Sequence, residues 1–483
     1  MTDLGALALL PVAVVLIVSV ATRRTLLALL CGTIVGAALL GGWNAVDVWV
    51  AFVGRSLANE TTQWLLLIVA LFGILITLFE RSGIVRDFAS WTERFVTTRR
   101  RSTVLSFVLA VVLFVDDYLN VLTVGASMQG VTDRYRVPRT ELGTIMKLTA
   151  APIAVIVPFS TWALFFSGLF EADGVTAGGS GFGAYLQAIP YVFFGWLGVL
   201  LAFLLAMGWL PRWGAIKRDG LRAAASGDVF PAGTVAPADG TVAAGAVGGA
   251  ATAEGDETSV DESRAVIATE APPRPTHRPQ PWPFLVAMLV LVGVTIATEA
   301  NIVQGTIAAL AVTIVITLVQ RRLGIRRLLD AALDGLGSML AIFVLVLLAF
   351  MLQEQNVDLG LASLVIDAVE PLLAPALLPA LVFVVCGVYA YATGSFWDLA
   401  AVVTPVVLPL AIAVGADPIV AGAAVFSGAA LGSTTCLYGD GIILASKSIG
   451  ITPFQLMVAI LPYAAIGFAA SALLYLVVGF AGL

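Results

Sequence analysis

A chain of 483 residues that is 60% hydrophobic and only 12% charged, with a mean hydropathy of +1.00, falls outside the range of soluble enzymes and of basic nucleic-acid-binding proteins. Its net charge of −6 says little about partners, because the charges are confined to loops and a few intramembrane positions. Composition alone predicts an all-α polytopic membrane protein.

In chain order, residues 4–21 predict a first helix retained in the protein, since Arg23 and Arg24 follow the apolar run rather than precede it. Helices are expected over 26–40 and 64–79, then a short amphipathic segment at 84–96 lying in the interface. The apolar arm before Asp116 is too short to cross a bilayer, which takes about 20 residues. It ends in Asp116, Asp117 and Asn120 and returns to Arg134, Arg136 and Arg139. That pattern predicts a re-entrant hairpin at about 102–136, tolerated only where protein or water surrounds its tip. A second apolar run at about 141–170 is broken by Pro158, Ser160, Thr161 and Trp162, and a helix over 184–210 closes the first repeat, 1–210.

Residues 211–282 change character: Ala, Gly, Thr and Pro dominate, which predicts a disordered cytoplasmic linker. The one histidine, His277, lies there. The second repeat, 283–483, restarts the pattern with helices at 283–298, 302–319 and 336–352 and an amphipathic stretch at 359–369. A hairpin follows at about 375–414 with Thr393, Ser395 and Asp398 at its tip. A broken helix at about 418–447 is interrupted by Ser433, Thr434 and Thr435 and again by Asp440 between two glycines, and a last helix covers 456–480. Polar interruptions in matching positions of two halves point to a secondary transporter's site.

All 25 Lys and Arg except Arg55 and Lys147 fall on one side of this threading. The positive-inside rule makes that side cytoplasmic. Both termini then lie outside, the linker inside, and the two hairpins enter from opposite faces, so the repeats are inverted.

Opposed tips beside two helix breaks gather oxygen donors suited to a small hard cation. Asp116, Asp117, Asn120 and Asp398 are the candidate Na+ ligands. Thr123, Ser160, Thr161, Thr393, Ser395, Ser433, Thr434, Thr435 and Asp440 complete the candidate ion- or substrate-binding set. If the chain is helical from Asp116, then Asp116, Asn120 and Thr123 share one face. Asp117 points about 100° away, so one aspartate serves the ion and the other caps the returning helix. Lys147 is a candidate counter-ion to either aspartate or to a substrate, or a snorkelling side chain. Cys31, Cys386 and Cys436 lie in apolar surroundings, which excludes a disulfide framework or zinc site.

The run Phe114-Val115-Asp116-Asp117-Tyr118-Leu119-Asn120-Val121-Leu122-Thr123-Val124-Gly125 resembles the aspartate-pair hairpin of the NhaC-type Na+/H+ antiporter family. The match continues through Thr132-Asp133-Arg134-Tyr135, Thr149-Ala150-Ala151-Pro152 and Pro158-Phe159-Ser160-Thr161-Trp162. Ala392-Thr393-Gly394-Ser395-Phe396-Trp397 is similar to that family's second tip. The resemblance covers most of the chain outside the linker. It implies an ion transporter superfamily-like fold of elevator type, with a mobile transport region, a scaffold region and a homodimeric assembly. At the second broken helix the chain departs from the family. The family commonly carries a Gly-Asp-His-Cys-Ser-Pro run ending in Ser-Asp; here Gly432-Ser433-Thr434-Thr435-Cys436-Leu437-Tyr438-Gly439-Asp440 stands. An aspartate and a histidine are replaced by hydroxyls, which leaves ion stoichiometry and substrate open.

The expected function is exchange of Na+ or another monovalent cation for H+ across the cell membrane. The alternative is a Na+- or H+-coupled carrier of a small organic anion or amino acid. An enzyme is disfavoured, because no histidine, metal-ligand cluster or nucleophile–base pair falls within the predicted membrane segments. No cofactor is expected beyond the transported Na+ and H+, and no partner beyond the bilayer and a second copy.

Overall fold

The computed structural model describes residues 5–22, 25–232, 234, 280–298, 301–361, 364, 374–393, 396–437 and 439–482. Among them every regular element is a helix, and one isolated bridge joins Ala177 to Ser180. The first half runs α1 (Leu10–Thr22), α2 (Thr25–Gly41), α3 (Ala45–Ala58), α4 (Glu60–Arg81) and α5 (Ile84–Glu93). It continues with α6 (Arg99–Val112), α7 (Asp117–Arg134), α8 (Arg139–Ile156), α9 (Thr161–Ala172), α10 (Gly181–Ala188), α11 (Phe193–Met207) and α12 (Gly214–Ser226). The second half runs α13 (Trp282–Ala297), α14 (Ile302–Val319), α15 (Ile325–Ser338), α16 (Leu340–Asp358), α17 (Leu378–Thr393), α18 (Phe396–Val414), α19 (Pro418–Thr435), α20 (Asp440–Ser448) and α21 (Pro453–Ala481).

Seven helical stretches among the described residues are long and apolar enough to cross a membrane, nine if each of two bent pairs is one span. The chain is a multi-pass membrane protein. One bent pair is α8 with α9, at 41°. The other is α10 with α11, at 52°. A single helix was expected over 184–210. Pro190 lies in the 3-10 turn Ile189–Tyr191 between α10 and α11, where its missing N–H and fixed φ interrupt the α-helical ladder.

Three further elements depart from the sequence reading. An extra helix, α3, stands where a loop carrying Arg55 was expected. Its Arg55 reaches across to Asp358 at 3.1 Å and Glu354 at 3.9 Å, pairing with both acids. The expected helix 336–352 is preceded by a separate amphipathic helix, α15. It crosses α4 so closely that a Cβ on Gly335 or on Gly73 would meet the other's backbone oxygen at 2.6 Å. Most of the expected amphipathic stretch 359–369 lies outside the described residues.

The third departure is within the expected linker. Residues 211–232 are folded: α12 buries Ala215, Ile216, Asp219 and Ala223, and most of the rest of 211–282 lies outside the described residues. Composition missed α12 because it is held by tertiary contacts rather than by propensity. Arg212 donates two hydrogen bonds, at 2.9 and 2.7 Å, to Glu141 at the start of α8. Arg99 joins the same fully buried carboxylate at 3.1 Å. Thr140 bonds Asp219 at 2.9 Å. The Tyr463 hydroxyl on α21 accepts from the Trp213 N–H and donates to the Pro211 carbonyl, each at 3.1 Å. Phe230 lies 4.3 Å under the Arg139 guanidinium. This strap therefore binds the ends of helices from both halves.

The centre of the molecule is built from α8 and α19. Every residue of α8 is buried, and so is α19 from Val420 to Thr435. Small residues let the backbones approach: a Cβ on Gly428 would meet the Gly387 nitrogen at 2.9 Å, and one on Gly432 would collide with the Ala390 Cβ. Between membrane helices, where no hydrophobic drive operates, such close van der Waals packing carries the association.

Candidate functional site

The α6–α7 turn brings its polar tip to the break between α8 and α9. Pro158 lies in that break, between the end of α8 and the N-cap of α9, and Ser160 caps α9: its Oγ accepts from the Ala163 N–H at 3.0 Å and donates to the Ala154 carbonyl at 2.5 Å. The Thr161 N–H donates to the Val115 carbonyl at 3.0 Å, stitching break to tip.

The two aspartates have separate surroundings. Asp116 is the N-cap of α7; its Oδ1 accepts from the N–H groups of Tyr118 (3.0 Å) and Leu119 (2.9 Å), and its Oδ2 from the Thr161 hydroxyl (3.2 Å). Asp117, 1% exposed, faces the centre: Oδ1 accepts from Trp162 Nε1 at 3.1 Å and Oδ2 from the Ser433 hydroxyl at 3.4 Å. Of the two, Asp116 is the cap.

The Asn120 side chain is tied to the end of α6. Its amide nitrogen donates to the Ala110 and Leu113 carbonyls, closing the end of α6, while its buried Oδ1 has no hydrogen-bond partner among the described residues. Thr123 is half-buried further along α7. Thr434 and Thr435 are buried, and each hydroxyl donates to its own helix, at Ala430 (2.8 Å) and Leu431 (2.7 Å). Such back-bonding satisfies the hydroxyl without any ligand. Ser395 and the side chains of Thr393, Asp398 and Asp440 lie outside the described residues.

Aromatic rings tie the second tip to the first break. Trp162 is fully buried and stacks on Phe396 at 4.9 Å and 7°, with Trp397 at 5.1 Å. Each such pair contributes about 0.5–1.5 kcal/mol beyond its burial. One indole thus bonds Asp117 through its N–H and contacts the start of α18 through its face.

Lys147, in the middle of α8, is fully buried. Its ammonium has no hydrogen-bond partner among the described residues. Asp117 acts on it electrostatically without touching it. A Cβ added to Gly441, in the first turn of α20, would stand 2.6 Å from Lys147 Nζ and 3.5 Å from Ser433 Oγ. So Asp117, Lys147, Ser433 and the start of α20 converge on one place. Glu80, near the end of α4, was not singled out from the sequence; its carboxylate repels that of Asp116. The available signal was an acid just inside the apolar run that Arg81 closes. Among the described residues no three His, Cys, Asp or Glu side chains gather into a metal-binding group.

Across almost the whole chain there is likeness to solved transporters. The Alcanivorax borkumensis YdaH transporter is 16% identical, with 91% of this chain and 90% of that one aligned at a TM-score of 0.53. Neisseria gonorrhoeae MtrF, described within a class of antimetabolite efflux pumps, is 13% identical over 91% of this chain and 85% of its own, at 0.58. These likenesses concern the fold. A Haemophilus influenzae protein described only as uncharacterized is 23% identical over 97% of this chain and 90% of its own length. Residues 280–480 match the model of the Na+/H+ antiporter family, the family that the first-half motif resembles.

Proposed function

We propose that this protein is a secondary active transporter, not an enzyme, that exchanges Na+ or another monovalent cation for protons across the plasma membrane. The observation that carries the reading is Asp117: a buried carboxylate at the meeting point of the first tip, both helix breaks and the aromatic residues of the second tip. The Lys147 ammonium acts on this buried carboxylate without touching it, so the carboxylate oxygens still call for a positive charge in direct contact. A proton or a cation meets that need, and each excludes the other, which is the essence of exchange. Asp117 is the coupling group in this reading, and Ser433 supplies a hydroxyl oxygen to the cation. Asp116, Asn120 and Asp398 remain candidate ligands of a second cation.

The positive-inside count supports cytoplasmic placement of 211–282 with both termini outside. The matching order of a hairpin turn and a helix break in each half supports two inverted repeats with re-entrant hairpins. The family match, together with this order, supports an elevator-like motion and a homodimer. Proteoliposomes loaded at a fixed pH and challenged with Na+, Li+ or K+ test the function. Cation-driven proton efflux in the wild type that is absent in Asp117→Asn is the expected result; equal efflux in both rejects it.

A second reading, a coupled carrier of a small organic anion, has its own support in the unpartnered Lys147 ammonium. The likeness to a protein described among antimetabolite efflux pumps fits a fold able to carry organic cargo.

A further inference from the structure

We propose that the Lys147 ammonium and the first turn of α20 form a binding site for the carboxylate group of a small organic anion, beside Asp117. The site rests on the transporter reading only for access from water, and not on Asp117 exchanging a cation.

Two independent features define it. The first is Lys147 itself: fully buried, charged, and without a hydrogen-bond acceptor among the described residues. A buried ammonium whose hydrogen bonds are unmade is costly even with the Asp117 charge nearby, so an acceptor is expected at that position when the protein works. Asp117 does not fill the role: its carboxylate takes hydrogen bonds from Trp162 and Ser433, not from the ammonium. The second feature is α20, nine residues long, whose N-cap Gly439 provides no side-chain cap. Its backbone bonds within this turn begin with the Ile442 N–H to the Gly439 carbonyl. The Asp440 and Gly441 N–H groups precede that bond, among the four that a helix leaves without an intrahelical partner. Helix N-termini hold carboxylates through such groups and the helix dipole.

The geometry joins the two. Lys147 Nζ lies where a Gly441 side chain would begin, so the glycine leaves the ammonium against the helix start. An ammonium and adjacent N–H donors suit the two oxygens of a carboxylate better than a spherical halide. The neighbouring Asp117 leaves a place for a co-bound cation that offsets the added charge.

The test uses the purified full chain, with acetate, succinate and chloride as probes at equal ionic strength, read by thermal shift and titration calorimetry. Acetate or succinate should stabilise the wild type and chloride should not. Lys147→Gln should weaken that binding about tenfold or more. Gly441→Ala should do likewise, since its Cβ displaces only the flexible end of Lys147; it decides the matter if Lys147→Gln does not fold. Asp117→Asn should retain carboxylate binding even where cation-driven proton flux is lost, which separates this site from the exchange reading. The proposal is overturned if neither carboxylate binds, if chloride binds equally, or if Gly441→Ala binds as the wild type does.

Discussion

At the scale of single residues, the adjacent pair Asp116 and Asp117 divides its work by one step of helical rotation. Asp116 satisfies two backbone N–H groups that would otherwise be unpaired at the start of α7. Asp116→Asn should therefore keep cation-dependent proton movement. Because asparagine is itself a good cap, Asp116→Ala is the informative stability variant: a loss of about 0.5–2 kcal/mol, read from thermal unfolding in detergent. Asp117→Asn should abolish coupling while melting within a few degrees of the wild type, since the amide oxygen can still accept from Trp162 and the amide nitrogen can donate to the Ser433 hydroxyl. If Asp116→Asn abolishes flux and Asp117→Asn does not, the assignment of roles is reversed. Which aspartate caps was not legible in the sequence. A shift of one residue in where α7 begins exchanges their positions, and nothing local fixes that register. The capping of α9 by Ser160 was obscured in the same way, because a hydroxyl in a break reads alike as a cap or a ligand.

Breaks in helices were the most legible elements. Pro158 with Ser160 marks the break after α8, where the sequence reading put it. In the second half the expected interruption at Ser433, Thr434 and Thr435 is the last turn of α19, and the chain leaves the helix at Cys436 instead, because those hydroxyls bond within the helix or to Asp117 and do not break it. The helices absent from the sequence reading, α3, α12 and α15, share a cause. Each is amphipathic or small and polar, and each is fixed by packing against a distant element that composition does not name. The seam between α17 and α19 gives a prediction at this scale. Gly428→Ala places a Cβ 2.6 Å from the Cys386 Cβ and 2.9 Å from backbone, which cannot yield cheaply. Overpacking of that kind costs about 1–3 kcal/mol, and the variant should show a lowered melting temperature. Gly130→Ala, with open space around it, should not; equal melting of the two would mean the seam has slack.

At the scale of the whole molecule, orientation rests on charge placement. In a background lacking native cysteines, a cysteine at Ala246 should be labelled by an impermeant reagent only from the cytoplasmic face. One at Ala300 should be labelled only from outside. Labelling of both from one face would remove the inverted arrangement. Residues 211–232 and 234 hold Thr140, Glu141, Arg139, Tyr463 and Gln455 through charge pairs, ring contacts and hydrogen bonds. Deleting 236–275 should then leave transport rate within about twofold, as expected for a segment too polar to bury a core. Deleting 211–232 should prevent folding, because it strips two arginine bonds from a fully buried carboxylate. Loss of transport on deleting 236–275, with normal membrane insertion, would assign that segment a regulatory role.

The strap has one more consequence. It belongs by sequence to the first half yet grips α21, while α7 packs on α20, and α8 on both α19 and α21. The halves are interlocked rather than tethered. Two separately translated pieces, 1–240 and 276–483, should therefore find each other in the membrane and co-purify as an active complementing pair, whereas neither piece produced alone should accumulate.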